Sequence, residues 1–279
     1  MSTSRDPLPL VTIVTPSFNQ APFLEATLQS VLEQDYPRLE YIVVDGGSTD
    51  GTLDILRHYE SRLAAWISEP DRGQTEAINK GFAMARGDIL AYLNSDDTYR
   101  TGAISEAVAF LQAHPEVGMV HGCAYYIDDS GREVGRFPSA ASDYRRLRRG
   151  APTIAQQSAF FRSVIWKMVG PLDPTFFYAM DYDLWIRISA VTPLAFVPRY
   201  WANFRLHDES KSMTVARLCW PEMMRVHFRD GGSAFSILYA KYLVRRVVEP
   251  VMPLRMALRR ALFRPDPRHG AAGPAAGGE

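Results

Sequence analysis

The 279-residue chain is 47% hydrophobic and 22% charged, enough apolar material to bury a sizeable core in one large α/β domain or in one domain with an appendage. Its 31 Lys and Arg balance its 31 Asp and Glu, so the overall charge carries no footprint for nucleic acid. Cys123 and Cys219 lie far apart without CxxC or Cys/His spacing, which excludes a disulfide framework and a zinc site and fits a reducing cytoplasm.

The first residues, Met1–Leu10, carry Pro7 and Pro9 and lack the apolar core of a signal peptide, so 1–9 is expected to be flexible. No run of about eighteen apolar residues follows, and neither secretion nor membrane spanning is expected. From Leu10 to Val120 short apolar runs alternate with amphipathic stretches. Leu10–Thr15, Tyr41–Asp45, Ala64–Ser68 and Ile89–Leu93 read as strands buried on both faces. Between them Leu24, Leu28 and Val31, then Leu53 and Leu56, then Ile78, Phe82 and Ala85, then Ile104, Val108 and Leu111 recur at helical spacing. This β-α repeat predicts a parallel sheet flanked by helices.

Ligands of such sheets bind outside the carboxyl ends of the strands. Four successive strand ends here are polar: Thr15-Pro16-Ser17-Phe18-Asn19, Asp45-Gly46-Gly47-Ser48, Glu69-Pro70-Asp71-Arg72-Gly73 and Asn94-Ser95-Asp96-Asp97. Together they predict one polar cleft. An acidic pair at the end of a buried strand is costly unless a cation or a solvent-filled cleft compensates. Mg2+ and Mn2+ take one or two carboxylates and leave their other positions to water and phosphate oxygens, a demand that Asp96 and Asp97 suit. The competing reading is a turn that caps the helix opening near Thr101.

Past residue 120, Cys123–Ile127 and Glu133–Phe137 read as a hairpin joined through Asp128-Asp129-Ser130-Gly131, where the aspartates serve the turn. The basic segment Tyr144–Arg149 is either a solvated helix face or a contact for an anionic acceptor or membrane. Ser163–Val169 and Asp181–Ser189 read as helices, with Asp181 at a helix start, and Leu194–Val197 as a strand. Beyond Thr214 the chain turns to helices rich in Met and aromatics. Lys241–Arg264 is amphipathic and basic, interrupted by Pro250 and Pro253. It either packs on the domain or adsorbs to an anionic membrane surface. Residues 265–279, rich in Gly, Ala and Pro, are expected to be disordered.

Five motifs in order carry a family resemblance: Val-Thr-Ile-Val-Thr-Pro-Ser-Phe-Asn-Gln (11–20), Val-Val-Asp-Gly-Gly-Ser-Thr-Asp-Gly-Thr (43–52), Asp-Arg-Gly-Gln-Thr-Glu-Ala-Ile-Asn-Lys-Gly (71–81), Leu-Asn-Ser-Asp-Asp (93–97) and Met-Asp-Tyr-Asp-Leu-Trp-Ile-Arg (180–187). Over roughly residues 10–210 the chain resembles the inverting family 2 glycosyltransferases of the GT-A fold. The resemblance implies an α/β, Rossmann-like, mostly parallel sheet with a nucleotide-sugar half (10–120), an acceptor half (121–213) and a C-terminal helical extension (214–264). It places Thr15, Pro16, Phe18 and Asn19 around the nucleotide base and Asp45 on the base or ribose. Asp71, Arg72 and Gly73 form a third donor loop, followed by Asn79 and Lys80 on the next helix. Asn94, Ser95 and Asp96 meet the donor, and Asp96, Asp97 and His207 meet a divalent cation, Mn2+ or Mg2+. Arg205, Ser210 and Ser212 reach phosphate oxygens. Asp181 becomes the general base, with Gln156, Gln157 and Trp185 on the acceptor side.

Two departures stand out: Asn94 occupies a frequent Asp position, and Met180 replaces the Glu that usually precedes the base. Asp183 either supplies part of that missing acidity or caps the helix. Which of Asp96 and Asp97 is the direct metal ligand stays open. The implied partners are a nucleotide-diphospho-sugar, UDP-linked by default, and a carbohydrate or lipid-linked acceptor of surface polysaccharide or glycolipid synthesis. The implied location is the cytoplasm, at the inner face of the membrane through 241–264. A sugar-phosphate nucleotidyltransferase would need a Gly-rich basic loop after the first strand. A non-catalytic membrane-associated binding module would not need the acidic motifs.

Overall fold

In the computed structural model, residues 8–149, 153–207 and 216–248 are described, and they build one mixed nine-stranded sheet between two layers of helices. Strands β1 (Val11–Ser17), β2 (Leu39–Asp45), β3 (Ala65–Ser68) and β4 (Ile89–Tyr92) pair in parallel in the order β3-β2-β1-β4. Their register, Val11 opposite both Leu39 and Ile89, brings the carboxyl ends to one edge of the sheet. Helices α1 (Ala21–Leu32), α2 (Thr52–Tyr59) and α3 (Gln74–Met84) connect them, and α4 (Ala103–Ala113) follows.

The near-continuous apolar strands are shared between two cores because successive side chains leave opposite faces. Ile13, Tyr41, Val43, Ile89 and Ala91 pack with α1, α2 and α4, whereas Val14, Ile42, Val44, Leu90 and Tyr92 pack with α3 and the later helices. On that second face α3 lies so close to β1 that a Cβ added at Gly81 would stand 2.3 Å from a methyl of Val14. Only glycine permits that approach.

The other half of the sheet departs from the sequence reading. Strand β6 (Met119–Ile127) begins ahead of the expected hairpin, and β7 (Glu133–Arg136) pairs with it through a turn in which Asp128 Oδ1 accepts from the backbone of Ser130 and Arg132. Strand β8 (Ala159–Arg162), absent from the sequence reading, runs antiparallel between β4 and β6. Strand β9 (Leu194–Arg205) extends well past the expected Val197, parallel to β6, and carries the two-residue β5 (Thr98–Tyr99) on its outer side.

Helices α5 (Tyr144–Arg149), α6 (Ser163–Val169) and α7 (Met180–Val191) cover the α3 face, and α8 (Ala216–Arg229) and α9 (Ile237–Val248) pack onto them. Asp183, fully buried on α7, meets Arg187 at 2.8 Å and Arg229 of α8 at 2.5 Å, so it joins two helices. Phe235, Ile237 and Val244 remain exposed around α9. No helix among the described residues is long and apolar enough to cross a membrane. Ser210, Ser212, the segment 249–264 and the two terminal stretches expected to be flexible or disordered, apart from Leu8 and Pro9, lie outside the described residues.

Candidate active site

A cavity of about 840 Å³ opens at the carboxyl edge of the parallel strands, within the size range of small-molecule sites. Pro16, Phe18, Asp71, Arg72, Gly73, Asn94, Ser95, Asp96, Gln156, Gln157, Asp181 and Trp185 line it, so most residues singled out in the sequence converge there.

The first three strand ends are stapled to one another. Gly46 N–H donates to Ser17 O at 2.8 Å, and Asn19 takes the left-handed conformation (φ 51°) that Asn tolerates better than most residues. From there its N–H donates to Ser48 Oγ at 2.7 Å and its Oδ1 accepts from Thr49 N–H at 2.9 Å. Asp45 is fully buried: Oδ2 accepts from the amides of Gly47 and Ser48 and from Ser68 Oγ at 2.6 Å. Thr15 is buried against the Tyr41 hydroxyl at 2.9 Å. Thr15, Asn19 and Asp45 therefore shape the loops from beneath, while Phe18, 58% exposed, stands at the cavity wall. Asp71 packs over Gly46, where an added Cβ would approach its Oδ2 to 2.9 Å, and it accepts from Gly73 N–H at 2.7 Å.

Besides Thr15, Asn19 and Asp45, two more residues expected at the donor, Asn79 and Lys80, do not line the cavity. The Asn79 amide brackets the backbone of Leu172, donating to its carbonyl at 2.8 Å and accepting from its N–H at 2.9 Å. Lys80 pairs with Glu69 at 2.9 Å and Glu76 at 3.3 Å. Neither side chain lines the cavity, an orientation that spacing alone does not reveal.

The acidic turn separates its two aspartates. Asp96 lines the cavity, with Oδ2 at 3.0 Å from Nε2 of the buried His207. Asp97 turns inward and is fully buried: Oδ1 accepts from Arg205 N–H at 2.9 Å, and Oδ2 from Gln157 at 2.8 Å and Asn94 at 3.3 Å. Burial and the adjacent Asp96 charge push the Asp97 pKa well above the usual carboxylate range, against the pull of those three donors. The Asn at 94 is thereby explained, because its amide donates towards Asp97 and accepts from Gln74 Nε2 at 2.5 Å. A carboxylate there would add a third negative charge to the turn. Arg205, itself buried, spends its guanidinium on the carbonyls of Asp96, Asp128 and Asp129, each at 2.9 Å.

Asp96 and His207 suit a hard cation that draws its remaining oxygens from a bound diphosphate and water. Asp97, with both oxygens engaged inside the protein, does not face that position. Among the described residues no group of three or more His, Cys, Asp or Glu is gathered as a complete metal site.

Helix α7 contributes a further part of the lining. Asp181 lines the cavity in the first turn of that helix, and the Tyr92 hydroxyl donates to its Oδ1. Met180 places its sulfur 3.0 Å from the Thr75 hydroxyl, so the position occupied by Glu in the resemblance serves packing here. Glu222 of α8, which the sequence reading missed, caps this region. Its Oε2 accepts from the N–H groups of Phe177, Tyr178 and Ala179 at 3.1, 2.7 and 2.8 Å. Trp220, Met223 and Cys219 of α8 and Arg245 of α9 also line the cavity. Their only signal in the sequence is helical amphipathicity, which reads alike for a face on a core and a face on a cavity.

The sequence profile of "Glycosyl transferase family 2" matches residues 12–168. The glycosyltransferase Rv1514c of Mycobacterium tuberculosis, described as uncharacterized, is 33% identical over 186 residues, covering 66% of this chain and 70% of that protein. The crystal structure of S. aureus TarS 1–349 in complex with UDP-GlcNAc superposes with a TM-score of 0.67 at 18% identity over 90% of this chain and 77% of that one. Against the longer S. aureus TarS structure the match spans 43% of that chain. The mannosyltransferase PcManGT of Pyrobaculum calidifontis, in complex with GDP-Man and Mn2+, gives 0.63 at 24% identity over 93% and 77%. The fold is that of GT-A glycosyltransferases, and with more than half its length matched by the family profile, this chain is a glycosyltransferase of family 2.

Proposed function

We propose that this enzyme moves a sugar from a nucleotide-diphosphate donor, UDP-linked by default, onto an acceptor hydroxyl with inversion, using a divalent cation, Mn2+ or Mg2+. The observation that carries the reading is one cavity lined by the strand-end loops, by Asp96 beside His207 and by Asp181 in the first turn of α7. The UDP-GlcNAc of the TarS complex and the GDP-Man and Mn2+ of the PcManGT complex support a nucleotide-sugar donor and a divalent cation.

Phe18 offers an exposed aromatic face to the base, and Asp71 an acceptor to the nucleoside. Asp96 and His207 would hold the cation, which when bound neutralises charge on the departing diphosphate. Asp181, steadied by Tyr92, takes the proton of the acceptor hydroxyl as its oxygen attacks the anomeric carbon from the face opposite the leaving group. The acceptor is a carbohydrate or lipid-linked hydroxyl at the cytoplasmic face of a membrane. There the exposed Phe235, Ile237 and Val244, with Lys241 and Arg246, would meet anionic lipid.

Screening nucleotide sugars for release of nucleoside diphosphate, with Mn2+, with Mg2+ and with chelator, tests the reading. Turnover that survives chelation removes the cation, a retained anomeric configuration in the product removes the single displacement, and Asp181→Asn within about threefold of wild type removes the base, since a general base contributes roughly 10²–10⁴. Failure to float with anionic vesicles at low salt removes the membrane contact.

A further inference from the structure

The short turn Gln156–Ser158, just ahead of β8, carries three buried polar side chains in a row, and each reaches a different element. Ser158 Oγ donates to Gly122 O of β6 at 3.0 Å, which anchors the turn to the sheet. Gln156 Nε2 donates to Tyr92 O at the end of β4 at 2.6 Å, and Gln157 Nε2 donates to Asp97 Oδ2 of the acidic turn at 2.8 Å. Both glutamines line the cavity, where the family resemblance set them against the acceptor, yet their amide nitrogens are spent inside the protein. Gln156 Oε1 lies 3.5 Å from Asn94 Nδ2, too long to hold it firmly.

Each amide leads to a reacting group through one further residue. The last β4–β8 pair is Leu90 opposite Phe161, and beyond it the Gln156 amide takes over from the ladder at Tyr92. The Tyr92 ring is buried edge-on against Phe82, with centroids 6.2 Å apart, so its hydroxyl follows its backbone, and that hydroxyl donates to Asp181 Oδ1. On the other limb, Thr27 and Arg205 hold backbone carbonyls of the acidic turn, of Ser95 and Asp97 at 2.9 and 2.7 Å and of Asp96 at 2.9 Å. Gln157 grips the Asp97 side chain instead, and the direction of that buried carboxylate fixes the backbone from which Asp96 turns out beside His207.

We infer that Gln156 and Gln157 are positioning residues that set the base and the cation ligand at one separation, Gln156 through Tyr92 to Asp181 and Gln157 through Asp97 to Asp96. The inference rests on the readings of Asp181 as the base and of Asp96 with His207 as the cation site. Because the two glutamines are neighbours in one anchored turn, the attacking and departing sides of the displacement are referred to a single point of the sheet. Partners behind a metal ligand and behind a base orient them without touching substrate.

The test uses the full chain and reads Mn2+ affinity from the electron paramagnetic resonance of the free ion, with whichever of UDP and GDP the wild type binds more tightly, beside kcat and donor KM. Gln157→Leu should weaken Mn2+ about tenfold or more, the range for loss of a group that orients a metal ligand. Gln156→Leu should lower kcat about tenfold or more by displacing the base, and leave Mn2+ affinity within about threefold. A role in folding alone would move the urea midpoints without this division. Gln157→Glu sets a second carboxylate against Asp97 and should weaken Mn2+ as well. Adding Asp97→Asn to it should bring Mn2+ affinity back within about threefold of wild type, because the hydrogen bond then runs from the new amide to the new carboxylate. Gln156→Leu added to Tyr92→Phe should cost little beyond Tyr92→Phe itself, since both act on one contact. Mn2+ affinity within about threefold of wild type in Gln157→Leu, no recovery in the paired exchange, or additive losses at Gln156 and Tyr92 would overturn the inference. Two controls separate this failure from that of the underlying readings. Mn2+ binding that survives Asp96→Ala removes the cation reading and an unaltered kcat in Asp181→Asn the base reading, whereas Mn2+ binding lost in Asp96→Ala and kept in Gln157→Leu overturns the positioning role alone.

Discussion

Glu222 ties α8 to the segment that leads into α7 and the proposed base Asp181, and its removal should be felt in both stability and turnover. The carboxylate accepts from three consecutive backbone amides, Phe177, Tyr178 and Ala179, at 2.7–3.1 Å. A hydrogen bond to a charged group is worth roughly 1.5–3 kcal/mol, but the three share one acceptor and are not additive. Phe177 is 44% exposed, so water can reach part of the vacated site. Glu222→Ala is therefore expected to cost about 3 kcal/mol, and Glu222→Gln, which keeps one accepting oxygen, about half of that. With a urea slope of about 3 kcal/mol/M, the Ala variant should unfold about 1 M earlier, with an unchanged slope. Since the capped residues lead directly into Asp181, kcat should fall about tenfold or more while the KM for donor holds, because small displacements of a catalytic group are costly. A Glu222→Ala protein with a midpoint within about 0.2 M of wild type and unchanged kcat would refute the coupling.

Two further substitutions probe the sheet. His121 is fully buried on β6 against Phe196, neither ring nitrogen makes a full hydrogen bond, and burial lowers its pKa from 6.5 to about 4. The unfolded chain therefore binds this proton more tightly, so the stability is fully present above pH 6.5 and declines by about 3 kcal/mol as the pH falls to 4. Urea titrations across that window should show a shallower decline in His121→Phe, and parallel curves would refute the assignment. Gly81→Ala pushes a methyl into Val14 and should destabilise by about 1–3 kcal/mol, despite the better helix propensity of Ala; a neutral or stabilising result would show that α3 shifts freely on β1.

The parallel strands were legible because each is a short apolar run ended by polar residues or Pro, and the strand-end motifs marked the edge where the cavity opens. Strand β8 was not legible, because four residues, Ala159–Arg162, running straight into a helix at Ser163 offer no period to read. The far end of β9 mixes exposed Pro198 and Arg199 with buried Trp201 and Ala202, which hides its continuity. Within the site, residue types were easier to read than directions. Asp96 and Asp97 are adjacent in sequence, yet one faces the cavity and the other the core, and Asn79 spends its amide on Leu172. Glu222 escaped notice because its partners are backbone amides about 45 residues away, which leave no mark on side-chain pattern.

The insertion of β8 between β4 and β6 bears on how the molecule comes into being. Until residue 162 has been made, β4 has no neighbour on its outer side, and neither β6 nor β9 has a route to the parallel strands. A nascent chain stopped near residue 120 would carry the donor loops on a sheet with a bare edge, the kind of surface that recruits foreign strands. Asp96 and Asp181, both on the cavity wall, thus acquire their relative placement late in synthesis, when one four-residue strand closes the gap between the two parts of the sheet.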